Sequence, residues 1–368
     1  MADTVFIHPG VLHSGEELNR LKKLVTNWEL SVPDKENPEY WAYQSYLLLK
    51  KDSRSQASYV MRGPFPVIAR DGEYRDTKPK FEADFHASYQ NALMWALTGC
   101  DVHAKKSLQI LSAYANMLKE IPDTNDAPLL AGLQGTEIIC ALELLKYTYP
   151  NLDDRQMEAI ERMFRAIFIP VLDTFYDRPP YTNGNWGLIF CKVIMAAGIY
   201  FDDHTLYEKG KLFYLNAHDN GTIENYIDGE TGQLQESGRD QGHSMLGLGN
   251  MAVLCEIAWK QGYDLWSALD NRLLKAYEYL AKYNLGHDDV PFTQWKDITG
   301  KYSDWPVISN ISRGKFKPVF EIAYNHYVRR RNFSMPYTAR VLDKIRPEGF
   351  DGDHPPGFGS LFYTTKDE

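Results

Sequence analysis

The chain has 368 residues, 44% of them hydrophobic and 24% charged, with a net charge of −9. That is enough to bury a large core in one domain or two. The acidity disfavours nucleic-acid binding but permits an acidic substrate at a locally positive cleft. The basic runs Arg313-Gly314-Lys315-Phe316-Lys317 and Arg329-Arg330-Arg331 could make such a cleft or lie on solvated faces. The four cysteines, Cys100, Cys140, Cys191 and Cys255, stand singly and read as thiols, not as a disulfide framework or metal site. No stretch reads as long and apolar enough to span a membrane, and no secretory signal is visible at a start that fits a trimmed chain. Aromatics make up 13%, with 24 Tyr and 8 Trp, which suits a sugar-handling protein or simply a large aromatic core.

Taken in chain order, helical signals dominate. Ser14-Gly15-Glu16-Glu17 is a capping-box pattern, followed by Leu18, Leu21, Val25 and Trp28 at helical spacing. Further helices are predicted over 84–97, ended by Thr98-Gly99, over 103–118, over 129–147 and over 153–168, the last stopped by Pro170. Then come the pairs 186–200 with 204–215 and 243–261 with 265–283, and a final helix over 319–331. Short strands are expected near Thr222-Ile223-Glu224 and Ser360-Leu361-Phe362-Tyr363. Roughly a dozen helices joined by short turns imply packed helical hairpins. No fixed-period repeat supports a solenoid, so the expectation is an all-α closed toroid of about six to seven hairpins. No Pro/Gly/Ser linker divides it, so residues 1–368 are expected to form one domain.

The stretch Glu236-Ser237-Gly238-Arg239-Asp240-Gln241-Gly242-His243 gathers two carboxylates, a guanidinium and an imidazole just before an apolar helix. Residues three and four apart share a helix face, so Arg239 or Asp240 can point with His243. Such a cluster suits an anion-handling site. Its purely structural reading is a solvated helix start capped by Asp240, with Arg239 paired to Glu236 or Asp240.

Four blocks, in order, carry a resemblance: His8-Pro9-Gly10-Val11-Leu12-His13-Ser14; Phe81-Glu82-Ala83-Asp84-Phe85-His86-Ala87-Ser88-Tyr89-Gln90-Asn91-Ala92-Leu93-Met94-Trp95 with Thr98-Gly99; Thr182-Asn183-Gly184-Asn185-Trp186-Gly187; and the Glu236–His243 cluster. Together they resemble the alginate-lyase-like polysaccharide lyases with an (α/α) toroid fold, and most of all the glucuronan and alginate lyases of polysaccharide lyase family 38. The best-known alginate lyases of this shape carry His directly after Asn in the third block. Here Trp186 follows Asn185, so a participating histidine must come from elsewhere, and His243 is the candidate.

The resemblance implies a lyase acting on a 4-linked uronic-acid polysaccharide, alginate or glucuronan, in the periplasm or outside the cell, with no cofactor and no catalytic metal. Such a reaction removes the C5 proton beside the sugar carboxylate and expels the 4-linked oxygen. The carboxylate must be neutralised by preorganised donors, with a base near C5 and an acid near the leaving oxygen. Asn185, just before a helix, and Arg239 are the candidate neutralisers. His243 is the candidate base. Tyr302, beside Lys301 in a polar loop, is the candidate acid or combined acid and base, with Tyr324 behind it. Candidate substrate contacts are His86, Tyr89 and Gln90 on one helix face, Gln134 between Gly132 and Gly135, and Asn183, Trp186, Glu236, Asp240 and Arg313. Two other readings use the same toroid: a glycoside hydrolase with Asp84 and Asp240 flanking the bond, and a non-catalytic glycan-binding protein.

Overall fold

The computed structural model describes residues 5–174, 184–354 and 356–364. Helices carry the chain: α1 (Gly15–Leu30), α2 (Tyr40–Lys51), α3 (Lys78–Thr98), α4 (Asp101–Met117), α5 (Ala127–Thr148), α6 (Asp154–Met163), α7 (Ile169–Asp173), α8 (Gly184–Tyr200), α9 (His204–Asn216), α10 (Ile223–Tyr226), α11 (Gln241–Lys260), α12 (Ala268–Asn284), α13 (Glu321–Tyr324), α14 (Pro336–Ile345) and α15 (Gly359–Tyr363). Local chemistry explains many boundaries. Ser14 Oγ accepts the Glu17 N–H at 3.2 Å to start α1, as its capping pattern predicts. Gly99 closes α3 in the left-handed region at φ 71°, where its N–H reaches the Trp95 carbonyl.

Three local expectations are corrected. Both expected strands are helical turns, α10 and α15, because an alternation over four residues is too short to separate the two periods. Pro170 does not stop its helix. A π-helical stretch, Phe164–Phe168, lets the Ile169 N–H reach the Phe164 carbonyl, and the chain stays helical to Asp173. The 22-residue α5 is long and apolar enough to cross a membrane by length and composition. It is instead a core helix, with 94% of its apolar window buried, since a helix packed on all sides is apolar all round.

The long helices form two layers. α3, α5, α8 and α11 are the inner ones, α3 packing on α5, α5 on α8 and α8 on α11. α4, α9 and α12 pack outside α3, α8 and α11 in turn, and α6 packs outside α4. Two pairs of contacts give the direction of the inner layer. His86 meets Glu137 and Trp95 meets Thr148, so α3 and α5 run parallel. Gly132 sits against Ile189 and Gly135 against Val193, so α5 and α8 run parallel too. Glu236, just before α11, bonds Asn185 at the start of α8, which brings the starts of these inner helices to one end. Such a helical hairpin ring is the architecture of an (α/α) toroid. Cys140, Cys191 and Cys255 are buried free thiols and Cys100 is exposed.

Candidate active site

A cleft of about 380 Å³ opens where the inner helices begin. Leu129 and Leu133 of α5 line it, with Asn185 and Trp186 of α8, and Asp240, Gly242, His243 and Leu246 at the start of α11. Arg70, Ile311, Ser312, Lys317, Asp353 and His354, from connecting segments, complete it. The positive ends of several helix dipoles therefore face one cleft in an acidic chain, a setting suited to anions.

The first turn of α11 builds one wall of the cleft. Asp240 is its N-cap: Oδ1 accepts the His243 N–H at 2.7 Å. Its Oδ2 lies 2.5 Å from His243 Nδ1. Burial pushes the Asp240 carboxyl up, but the two bonds from His243 and the nearby Arg239 charge hold it below the usual range. An ionised Asp240 fixes the proton on Nδ1 and leaves Nε2 as the open nitrogen of a ring that is 40% exposed. The expected cap is thus present, and the same carboxylate orients an imidazole that lines the cleft.

Behind this turn lies Glu236, fully buried. Its Oε1 accepts from Asn185 Nδ2 at 2.7 Å and from Arg239 Nη1 at 2.9 Å. Its Oε2 accepts from the Tyr226 hydroxyl at 2.9 Å and from Asn185 Nδ2 at 2.9 Å. Tyr226 reaches it between two glycines: a Cβ at Gly184 would come within 2.1 Å of its ring, and one at Gly247 within 1.9 Å of its hydroxyl. Glu236 is therefore a buried anchor, not a surface contact. Asn185 also differs from the expectation. Its amide donors are spent on Glu236, since the flipped amide would set Oδ1 against a carboxylate, and Oδ1 is left buried without a partner among the described residues. Arg239, 29% exposed, has one bond to Glu236 and its Nε 3.8 Å from Asp240 Oδ2.

Other expected contacts are elsewhere. Asn183 lies outside the described residues. His86 is buried, with Nδ1 2.7 Å from Glu137 and its ring edge-on to Phe350. Tyr89 is fully buried and shares a 3.0 Å bond with His13 Nε2, and Gln90 is buried beside Asp52. Gln134 is buried with neither amide atom bonded. His86 already lies about 12 Å along α3 from its start at 1.5 Å per residue, so a shared helix face is not a shared depth. Arg313 is committed away from the cleft, donating to the Tyr283 carbonyl at 2.8 Å, Asp288 at 2.8 Å and the His287 carbonyl at 3.1 Å. Asp84, the hydrolase candidate, is saturated by the Tyr59 and Tyr114 hydroxyls and the Arg62 and Gly63 N–H groups. It is not among the residues lining the cleft beside Asp240.

Tyr302 belongs to the long segment between α12 and α13. Its N–H donates to Asp297 at 2.9 Å, its ring stacks near Trp305, and Lys301 Nζ lies 5.0 Å from the ring centroid. That segment is docked on the reactive turn: Ser309 N–H donates to the Ser237 carbonyl at 2.9 Å, and Gln241 N–H to the Ile311 carbonyl at 3.0 Å. Tyr302 itself is not among the cleft-lining residues. The sequence reading passed over Lys317 and His354, which are. Lys317 had a signal, as the last residue of the 313–317 basic run; His354 had none.

A family profile described as alginate lyase matches residues 25–290. Similar solved structures include alginate lyase A1-III from Sphingomonas species A1, 13% identical with a TM-score of 0.68, covering 97% of this chain and 99% of that one. A histidine-to-alanine variant of A1-III complexed with tetrasaccharide is 16% identical with a TM-score of 0.63, over 98% and 99%. An alginate lyase from Bacteroides ovatus is 14% identical with a TM-score of 0.61, over 98% and 100%. No curated protein matches.

Proposed function

The chain belongs to the alginate lyase family and is a polysaccharide lyase; we propose that it cleaves alginate or a related 4-linked polyuronate, such as glucuronan, by β-elimination in the cleft at the start of the inner helices. The observation that carries this is the Asp240–His243 pair, with His243 Nε2 open on a cleft ringed by helix N-termini.

In this reading His243 Nε2 takes the C5 proton and Asp240 holds the ring in the tautomer that can do so. As the proton leaves, negative charge grows on the sugar carboxylate. The uncommitted donors of Arg239 and the dipoles of α8 and α11 stabilise that charge. Asn185 acts at one remove, by ordering Glu236 and through it Arg239. Tyr302, on the segment docked against the reactive turn, protonates the departing O4. When the C5 proton and O4 lie on opposite faces of the ring, two such groups are needed, and His243 and Tyr302 supply them. The reading treats residues 1–368 as one lyase unit of family-38 type, supported by the four sequence blocks and by the packing of α15 on α2 and α1 on α3. A polymeric substrate also argues for work in the periplasm or outside the cell.

The test is ultraviolet absorbance over time on alginate, polymannuronate, polyguluronate and glucuronan, each offered alone. A rise reports the new C4–C5 double bond and names the substrate. Flat traces on all four would overturn the reading.

A further inference from the structure

A second part of the cleft lining is also organised around a carboxylate. Asp351 is its centre. One carboxylate oxygen accepts from Lys317 Nζ at 2.8 Å, and the other from His354 Nδ1 at 3.2 Å and from the Asp353 N–H at 3.1 Å. Those bonds from His354 and Lys317 hold the Asp351 carboxyl well below its usual range against a smaller opposing effect of burial. It stays ionised and ties the Lys317 and His354 side chains to one place. His354 is 8% exposed, and its Nε2 is buried without a partner although the residue lines the cleft. A buried acceptor left open costs free energy unless something fills its valence.

The substrate class supplies the complement. Every ring of a polyuronate carries a carboxylate, and the elimination neutralises only one. A neighbouring ring drawn into the cleft needs a cation for its own carboxylate, because an unpaired anion is costly to desolvate. Arg313 is spent on Asp288 and two carbonyls, so it cannot serve. Lys317 has three donors, with Asp351 as its one bonded partner among the described residues, and is part-exposed on the cleft. Asp353 also lines the cleft and opposes a bare excess of anion there, which favours a site that pairs one carboxylate over a general basic patch.

Resting on the lyase reading, we propose that Lys317 and His354, positioned together by Asp351, form a subsite for a second uronate beside the one being cleaved. Lys317 Nζ grips its carboxylate, and His354, bonded to Asp351 through Nδ1, helps to hold the carboxylate that positions Lys317. The test is calorimetric binding of a defined mannuronate oligomer to the His243→Ala protein, in which turnover is blocked, with and without a second change. Lys317→Met should weaken binding about tenfold, the size of one charge-assisted bond. Lys317→Arg should restore most of it, and Lys315→Met, on the exposed side of the same segment, should change nothing. A carboxyl-reduced oligomer should bind alike with or without Lys317. Unchanged affinity for the charged oligomer in a folded Lys317→Met protein overturns the subsite. Lysine-dependent binding without ultraviolet product from the wild type would instead overturn the lyase reading and leave the subsite standing.

Discussion

The two ends of the inner helices use the same residue types for opposite ends. At the C-terminal end of α11, Lys260 lies 3.4 Å from Glu17 and 3.5 Å from Glu256, and Arg330 grips Glu256 with both nitrogens at 2.8 and 2.9 Å. Glu17 and Glu256 are buried and paired on every side. At the N-terminal end, Glu236, Arg239, Asp240 and His243 form a similar ionic cluster. There His243 Nε2 stays open and Asn185 Oδ1 is unpartnered. Charge alone therefore does not mark the proposed active end. What marks it is bonding capacity left over after the fold has taken its share.

That contrast breaks most sharply at His243. Its replacement by alanine removes the open nitrogen and should lower kcat by about 10³- to 10⁴-fold, within the range for a positioned general base. The melting temperature should barely move, because the ring is 40% exposed. A stopped ultraviolet assay with a thermal melt reads both. A fall under tenfold would remove His243 from the chemistry. Arg330→Met makes the reverse prediction. It leaves Glu256 buried beside only Lys260 and should cost about 3–5 kcal/mol in urea unfolding, as expected when one partner of a buried pair is lost. Activity per folded molecule should be retained.

Sequence legibility follows the same division. The helix pairs, the Asp240 cap and the Glu236–His243 cluster were readable because they rest on neighbours within a few residues. Depth was not: His86, Tyr89 and Gln90 share a face by spacing, yet they pack well below the mouth against Glu137, His13 and Asp52. Nor were bonds across long separations. Asn185 spends its amide on a carboxylate 51 residues away, and His354 reaches the cleft only because the chain returns to it near its end. Two helices, α2 and α14, were missed altogether. Arg329, Arg330 and Arg331 looked like cleft material and are instead paired with Glu321, Glu256 and Asp264.

A smaller effect sharpens the role of the pair at the reactive turn. Asp240→Asn keeps a capping side chain, so stability should change by only a few tenths of a kcal/mol. It loses the charge that selects the Nδ1–H tautomer, and kcat should fall about 10²-fold, the low end of the range for a positioned general base. A larger fall in stability than in rate would make Asp240 a cap and nothing more.

The least effect expected is a dependence of stability on pH, and it differs between carboxylates that are fully paired and those that are not. Glu17, at the C-terminal end, is buried, which pushes its carboxyl up, but Lys260, His13 and Arg20 outweigh this and bring it to about 2. Its stabilisation is present above pH 4.5 and is lost as pH falls toward 2. Glu348 lies beside the start of α13, where its Oε1 accepts the Phe320 N–H at 2.8 Å and its Oε2 has no partner among the described residues. Burial, then the charge of Glu321, pushes its carboxyl up to about 8. The folded protein therefore holds a proton on Glu348 that the unfolded chain releases above pH 4.5, and stability falls as pH rises from there to about 8. Buried Asp219, raised to about 7, adds to the same limb. One such group gives a slope of at most about 1.4 kcal/mol per pH unit. Glu348→Gln, neutral at every pH, should flatten the alkaline limb in urea titrations between pH 5 and 8 and leave the acid limb alone. Glu17→Gln should do the converse. If either substitution moved both limbs equally, the two carboxyls would not titrate as the separate groups that their bonding describes.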